Sequence, residues 1–85
     1  MCPPDQKEDK AIFHNNLGIA LKKLDQPLKA KGEFSKAIEL NPEYPKPLFH
    51  RMNLHKDAEE YDLALADAKR IIEIDPEFQR KQLDT

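Results

Sequence analysis

The side chains of this chain best suited to chemistry are cationic and amide groups, and their distribution points to holding an anion rather than to transforming one. Lys22, Lys23, Lys46 and Lys56 belong to the first and third of four amphipathic segments, opposed there by Asp57, while Glu33, Glu39, Glu59, Glu60, Asp62, Asp67 and Glu73 belong to the second and fourth. A field of positive sign on one set of helices attracts carboxylates. Lysines and arginines on a helix ordinarily form a solvated face. Asn16 is harder to explain that way, because asparagine is a poor interior-helix residue and gains nothing there unless its amide is used.

Catalytic and metal-binding arrangements are absent from the pattern. Gly18 and Gly32 both fall inside helical segments, so no glycine-rich phosphate loop is formed, and Ser35 stands on a different helix from the histidines. His50 and His55 are five residues apart rather than four and do not share a helix face, and the single cysteine, Cys2, has no partner at ligand spacing. Asp57, Glu59 and Glu60 cluster at a helix start, where carboxylates meet the helix dipole favourably. His14 and His55 read as core or boundary histidines. No enzyme, metal or cofactor is expected.

Eighty-five residues allow one small domain with a limited core. The balance of 35% charged to 39% hydrophobic residues, with two glycines and no tryptophan, suits helices with solvated outer faces. A net charge of −2 argues against nucleic acid as the main partner, since phosphate binding calls for a basic domain. No apolar stretch approaches the roughly 20 residues a membrane span needs, and the first residues lack the apolar segment of a secretory signal. A cytoplasmic home without membrane contact is therefore expected.

Apolar residues recur at helical spacing through Ile12, Phe13, Leu17, Ile19, Leu21 and Leu24, which predicts a first helix from Lys10 to Leu24. Asp25-Gln26-Pro27 stops it. A second helix is predicted from Pro27 to Leu40, with Leu28, Ala30, Phe34, Ala37, Ile38 and Leu40 inward, ended by Asn41-Pro42. A third runs from Pro45 or Pro47 to Asp57. The fourth runs from Glu59 to Ile74, with Tyr61, Ala64, Leu65, Ala68, Ile71 and Ile72 inward, ended by Asp75-Pro76. The short linkers make consecutive helices antiparallel.

These helices are written twice. Ala30, Ile38, Glu39, Pro42 and Glu43 recur 34 residues later as Ala64, Ile72, Glu73, Pro76 and Glu77. Lys36 with Arg70, Leu40 with Ile74, Asn41 with Asp75 and Tyr44 with Phe78 fall on the same offset. Such a period marks a helix–turn–helix solenoid. The expected organisation is an N-terminal tail over 1–9, repeats over 10–42 and 43–76, and a short helical, capping extension over 77–85.

Across residues 11 to 78 the pattern resembles the tetratricopeptide repeat. The signature positions are held by Leu17, Gly18, Leu21, Ala30, Phe34, Ala37 and Pro42 in the first copy. In the second they are held by Leu48, Arg51, Met52, His55, Ala64, Ala68, Ile71 and Pro76. Phe34 and Ala37 become Ala68 and Ile71, a large–small pair exchanged for a small–large one, as conserved core volume requires. Met52 and His55 depart from the family.

The resemblance implies an all-α solenoid of two repeats, acting as a non-enzymatic adaptor that binds an extended peptide along its first and third helices. By that register the face carries Asn16, Lys22, Lys23, Lys46, His50 and Asn53. Within the family a subset grips the C-terminal carboxylate and acidic tail of heat-shock chaperones through an Asn, a Lys and an Arg. Asn16 and Lys46 match the first two; the third position is His50, with Arg51 one residue later. A co-chaperone-type role, with Asn16, Lys46 and Arg51 holding an acidic peptide, is the expectation. The alternative is a structural, self-associating scaffold whose outer apolar residues Leu65, Ile72 and Leu83 lie near solvent.

Overall fold

A computed structural model describes residues 7–78 and Arg80. Four helices follow one another: α1 (Lys7–Lys23), α2 (Pro27–Leu40), α3 (Pro45–Asp57) and α4 (Tyr61–Ile74). The chain is again helical at Phe78 and Arg80, and among the described residues there is no strand. The fold is the expected all-α arrangement of two helix pairs. α1 begins three residues before the predicted start, and Leu83 and most of the tail over 1–9 lie outside the described residues.

The 34-residue repeat of the sequence is also a repeat of hydrogen bonds. After α1, Gln26 N donates to Leu21 O at 2.9 Å and Asp25 N to Lys22 O at 3.0 Å; after α3, Glu60 N donates to His55 O at 2.7 Å and Glu59 N to Lys56 O at 3.0 Å. Asp25 and Glu59 both have a φ of 62°, the left-handed conformation that closes a helix in this double-bond motif and that usually falls to glycine. Proline at the first turn of α2 and of α3 then restarts the helix at no cost in hydrogen bonds. Each helix pair ends alike. Glu43 N donates to Asn41 Oδ1 at 3.3 Å, and Glu77 N to Asp75 Oδ1 at 3.2 Å.

Packing follows the same logic with one exchange. Gly18 lies where a Cβ would come within 2.6 Å of the Phe34 ring, so the α2 ring packs directly on the α1 backbone. Phe34 is fully buried and forms one core cluster with Ala30 and Leu54. In the second repeat the bulk moves one turn on, to Ile71, which joins Leu48, Met52, Ala64 and Phe78. Ile38 of α2 packs against this second cluster and joins the repeats.

Several predicted inner residues face outward. Leu28 is 79% exposed, and Tyr61, Leu65 and Ile72 of α4 are exposed too. Leu28 sits in the first turn of α2. Phe13 and Leu17 on α1, and Leu24 just beyond its end, are likewise exposed. Leu65 and Ile72 lie near solvent, as the scaffold alternative supposed.

Polar contacts bind the second repeat to the first. Arg51 of α3 donates from Nε and Nη2 to Asp67 Oδ2 and Oδ1 at 2.9 and 2.7 Å, and from Nη1 to Ser35 Oγ of α2 at 3.1 Å. Lys31 donates to Glu60 Oε1 at 3.1 Å, and that same oxygen lies 2.9 Å from His55 Nδ1. His55 Nε2 stands 3.7 Å from Asp67 Oδ2, which closes the network. His55 is thus a buried structural histidine, as its position in the pattern predicts.

Candidate functional site

α1 and α3 leave a groove between them. Its cavity, about 410 Å³, is lined by Ile12, Asn15, Asn16 and Ile19 of α1, by Tyr44, Lys46, Phe49 and His50 at and within α3, and by Phe78 from beyond α4. Helical spacing places these residues: Ile12, Asn15, Asn16 and Ile19 are three or four apart, as are Lys46, Phe49 and His50, so each set shares one helix face.

The groove has a cationic end and an apolar end. His50 stacks on Phe34, with ring centroids 5.2 Å apart and planes 18° from parallel. Burial, then the charges of Lys22 and Lys46, hold the His50 imidazole below its usual pKa. The ring is therefore neutral near pH 7, with two ammonium groups close enough to oppose its protonation. Phe49 stands edge-on to His50 at 5.8 Å and edge-on to Phe78 at 5.7 Å, so aromatic rings run from the cations to the far wall. Burial raises the Tyr44 phenol above its ordinary pKa, which keeps it protonated and able to donate a hydrogen bond.

Asn15 is 2% exposed, and its Oδ1 has no hydrogen-bond partner among the described residues.

Of the residues the sequence nominated, Asn16, Lys46 and His50 come together in this groove. Lys22 stands beside it, near enough to act on His50. Asn53 and Lys23 are not among its lining residues. Arg51 requires a correction: its guanidinium is committed to Asp67 and Ser35 at the seam between repeats, so it does not form part of the grip. The reason is the step of ~100° between neighbouring helical residues. With His50 turned to the groove, Arg51 is turned to α2 and α4. Tyr44 and Phe78 were missed as lining residues, although their pairing across the 34-residue offset was legible.

Among the described residues no cluster of three His, Cys, Asp or Glu side chains could hold a metal ion, and no helix is long and apolar enough to cross a membrane. What the groove offers is charge, amides and aromatic surface.

Comparison with known proteins agrees with this geometry. The family model described as "Tetratricopeptide repeat" matches residues 11–44. The mitochondrial import receptor subunit TOM70 of Rattus norvegicus is 29% identical over 82 residues, covering 96% of this chain and 13% of the relative. TOM70 of Homo sapiens matches to the same extent. A DnaJ homolog subfamily C member 7 homolog of Schizosaccharomyces pombe is 30% identical over 88 residues, covering 95% of this chain and 18% of the relative. The chain thus spans less than a fifth of the length of these curated relatives. Repeats of this family are protein-interaction modules and not enzymes. Residues 11–44 are thus matched by the tetratricopeptide-repeat family, and the same helix pair, turn and closing hydrogen bonds recur 34 residues later.

Proposed function

We propose that the groove between α1 and α3 binds the C-terminal end of an extended acidic peptide, as a co-chaperone-type adaptor binds the tail of a heat-shock chaperone. The observation that carries this reading is the convergence of Asn16, Lys46 and His50 on one cavity, with Lys22 alongside. Asn16 donates from its amide, and Lys46 supplies a charge-assisted bond to the carboxylate. A carboxylate beside His50 favours the imidazolium, so the ring takes up a proton as the ligand enters and completes the charge. The similarity to a receptor subunit fits a module whose ligand is another protein.

Because Arg51 is committed elsewhere, the grip is small. Exposed ion pairs contribute roughly 0–1 kcal/mol each, so the affinity is no better than about high micromolar, worth roughly 4–6 kcal/mol. Titration with a peptide ending in Glu-Glu-Val-Asp, followed by nuclear magnetic resonance, tests it. Shifts should centre on Asn16, Lys46 and His50, fade with salt, and be reduced by Lys46→Ala but not by Lys69→Ala. No shifts on α1 or α3 would sink the adaptor reading.

A second reading, a self-associating scaffold, is favoured by two apolar rows at opposite ends of the helix stack. Phe13 and Leu17 on α1 with Leu24 just beyond it, and Tyr61, Leu65 and Ile72 on α4, share the spacing i, i+4, i+11 and are exposed. Exposed rows of this kind mark association sites. Light scattering showing a strict monomer at millimolar concentration removes this reading and leaves the adaptor.

A further inference from the structure

Phe78 lies beyond the second repeat, yet it is 7% exposed and lines the same cavity as Asn16, Lys46 and His50. Its packing partners are Leu48, Met52, Ala64 and Ile71 of the second core cluster, with Phe49 edge-on at 5.7 Å. The turn after α4 sets its position: Phe78 N donates to Asp75 O at 3.0 Å, and Glu77 N to Asp75 Oδ1 at 3.2 Å. The turn after α2 is built alike, with Tyr44 N donating to Asn41 O at 3.1 Å, and Tyr44 lines the cavity too. Two successive repeat-closing turns therefore deliver an aromatic ring to one groove.

We propose that Phe78 is a ligand-contacting wall of this groove, so that peptide binding and docking of the turn after α4 stabilise one another. The inference rests on the peptide-groove reading above and adds to it a residue outside the repeats. Phe49 stands between His50 and Phe78, edge-on to each. A peptide whose carboxylate sits at His50 and whose chain advances about 3.3–3.6 Å per residue brings an apolar side chain onto Phe78 within about three residues of its end. The ligand class is thus an acidic C-terminal peptide bearing an aliphatic side chain in those last residues. Coupling of this kind is reciprocal: whatever factor the peptide contributes to docking of Phe78, docking contributes to peptide affinity.

Hydrogen exchange on the whole chain, with and without a peptide ending in Glu-Glu-Val-Asp, tests the coupling at the Phe78 amide. Exchange there should slow by about fivefold or more at saturation, and by less with a peptide carrying Gly in place of Val. Phe78→Ala should weaken the Val peptide by about tenfold and leave the Gly peptide nearly unchanged, while Leu65→Ala on the exposed face of α4 alters neither. Phe78→Leu, which keeps an apolar side chain in the core, should give the same order of effects with smaller size if the alanine variant is too unstable to study. Binding that shifts Asn16, Lys46 and His50 but leaves Phe78 exchange unchanged, with both peptides weakened equally in the variants, overturns the role of Phe78 and leaves the groove reading standing. Absence of peptide binding overturns the groove reading and this inference together.

Discussion

Arg51 grips Asp67 through Nε and Nη2 of its guanidinium, at 2.9 and 2.7 Å, and turns its third nitrogen, Nη1, to Ser35 at 3.1 Å. Asp67 is nearly buried, so this ion pair is shielded where a surface pair is not. It joins α3 to α4 and, through Ser35, the second repeat to the first. The same side chain is lost to the groove by being useful at the seam, and its neighbour His50 is left to line the groove.

Removing one partner of such a pair leaves the other charge buried, a change that costs up to about 3–5 kcal/mol for fully buried pairs. Arg51 is still partly exposed, so Arg51→Ala should lower stability by roughly 2–3 kcal/mol. Arg51→Lys, which cannot fork, should recover only part of that loss. Urea unfolding of the single variants and of the double variant with Asp67→Asn checks this. Independent, additive losses would show that the pair is not coupled.

The two glycines should respond in opposite directions. A Cβ at Gly18 meets the Phe34 ring at 2.6–2.9 Å, whereas one at Gly32 meets nothing within 4 Å. Gly32→Ala should therefore stabilise by about 0.5–1 kcal/mol through helix propensity. Gly18→Ala should destabilise by about 1–3 kcal/mol, the usual cost of overpacking. Thermal melting of both variants decides it, and a stabilised Gly18→Ala would contradict the tight α1–α2 contact.

Asp25 and Glu59 close their helices at a φ of 62°, where L side chains are strained and glycine is not. Replacing either by glycine should raise stability by up to about 1 kcal/mol, roughly the cost of holding an ordinary residue there. Equal losses at both sites in denaturant titrations would mean that the left-handed turns are not strained.

Stability and peptide binding should depend on pH with opposite sign. His50 has a lowered pKa in the fold, so the unfolded chain takes up the proton more readily, and stability falls as pH drops through 6.5. Glu33, lowered mainly by its hydrogen bond from His14 at 2.7 Å, contributes stability above its ordinary value of 4.5 that is lost as pH falls below it. Glu60, held down first by His55 and then by Lys31, acts in the same direction. Binding to a carboxylate should instead strengthen between about pH 7.5 and 6, because the ligand favours the imidazolium. His50→Gln should flatten both trends near pH 6.5, and pH-dependent melting beside peptide titration would show whether one group serves both.

Local and periodic features of this fold were legible without coordinates. The 34-residue echo and the prolines that restart α2 and α3 follow from backbone geometry and side-chain volume, which act between near neighbours or through a repeated pattern. The helical register also predicted Asn16, Lys46 and His50 on one face, and the three line one cavity. Tertiary structure alone decided what depends on which surface each helix presents to the next. Leu28, Tyr61, Leu65 and Ile72 have the periodicity of inner residues but stand exposed. Arg51 could have served the groove or the seam, and only the placement of Asp67 and Ser35 within its reach assigned it. Phe78 lies outside both repeats in sequence and enters the groove because the turn at Asp75 brings it back over Phe49, a contact that no local pattern encodes.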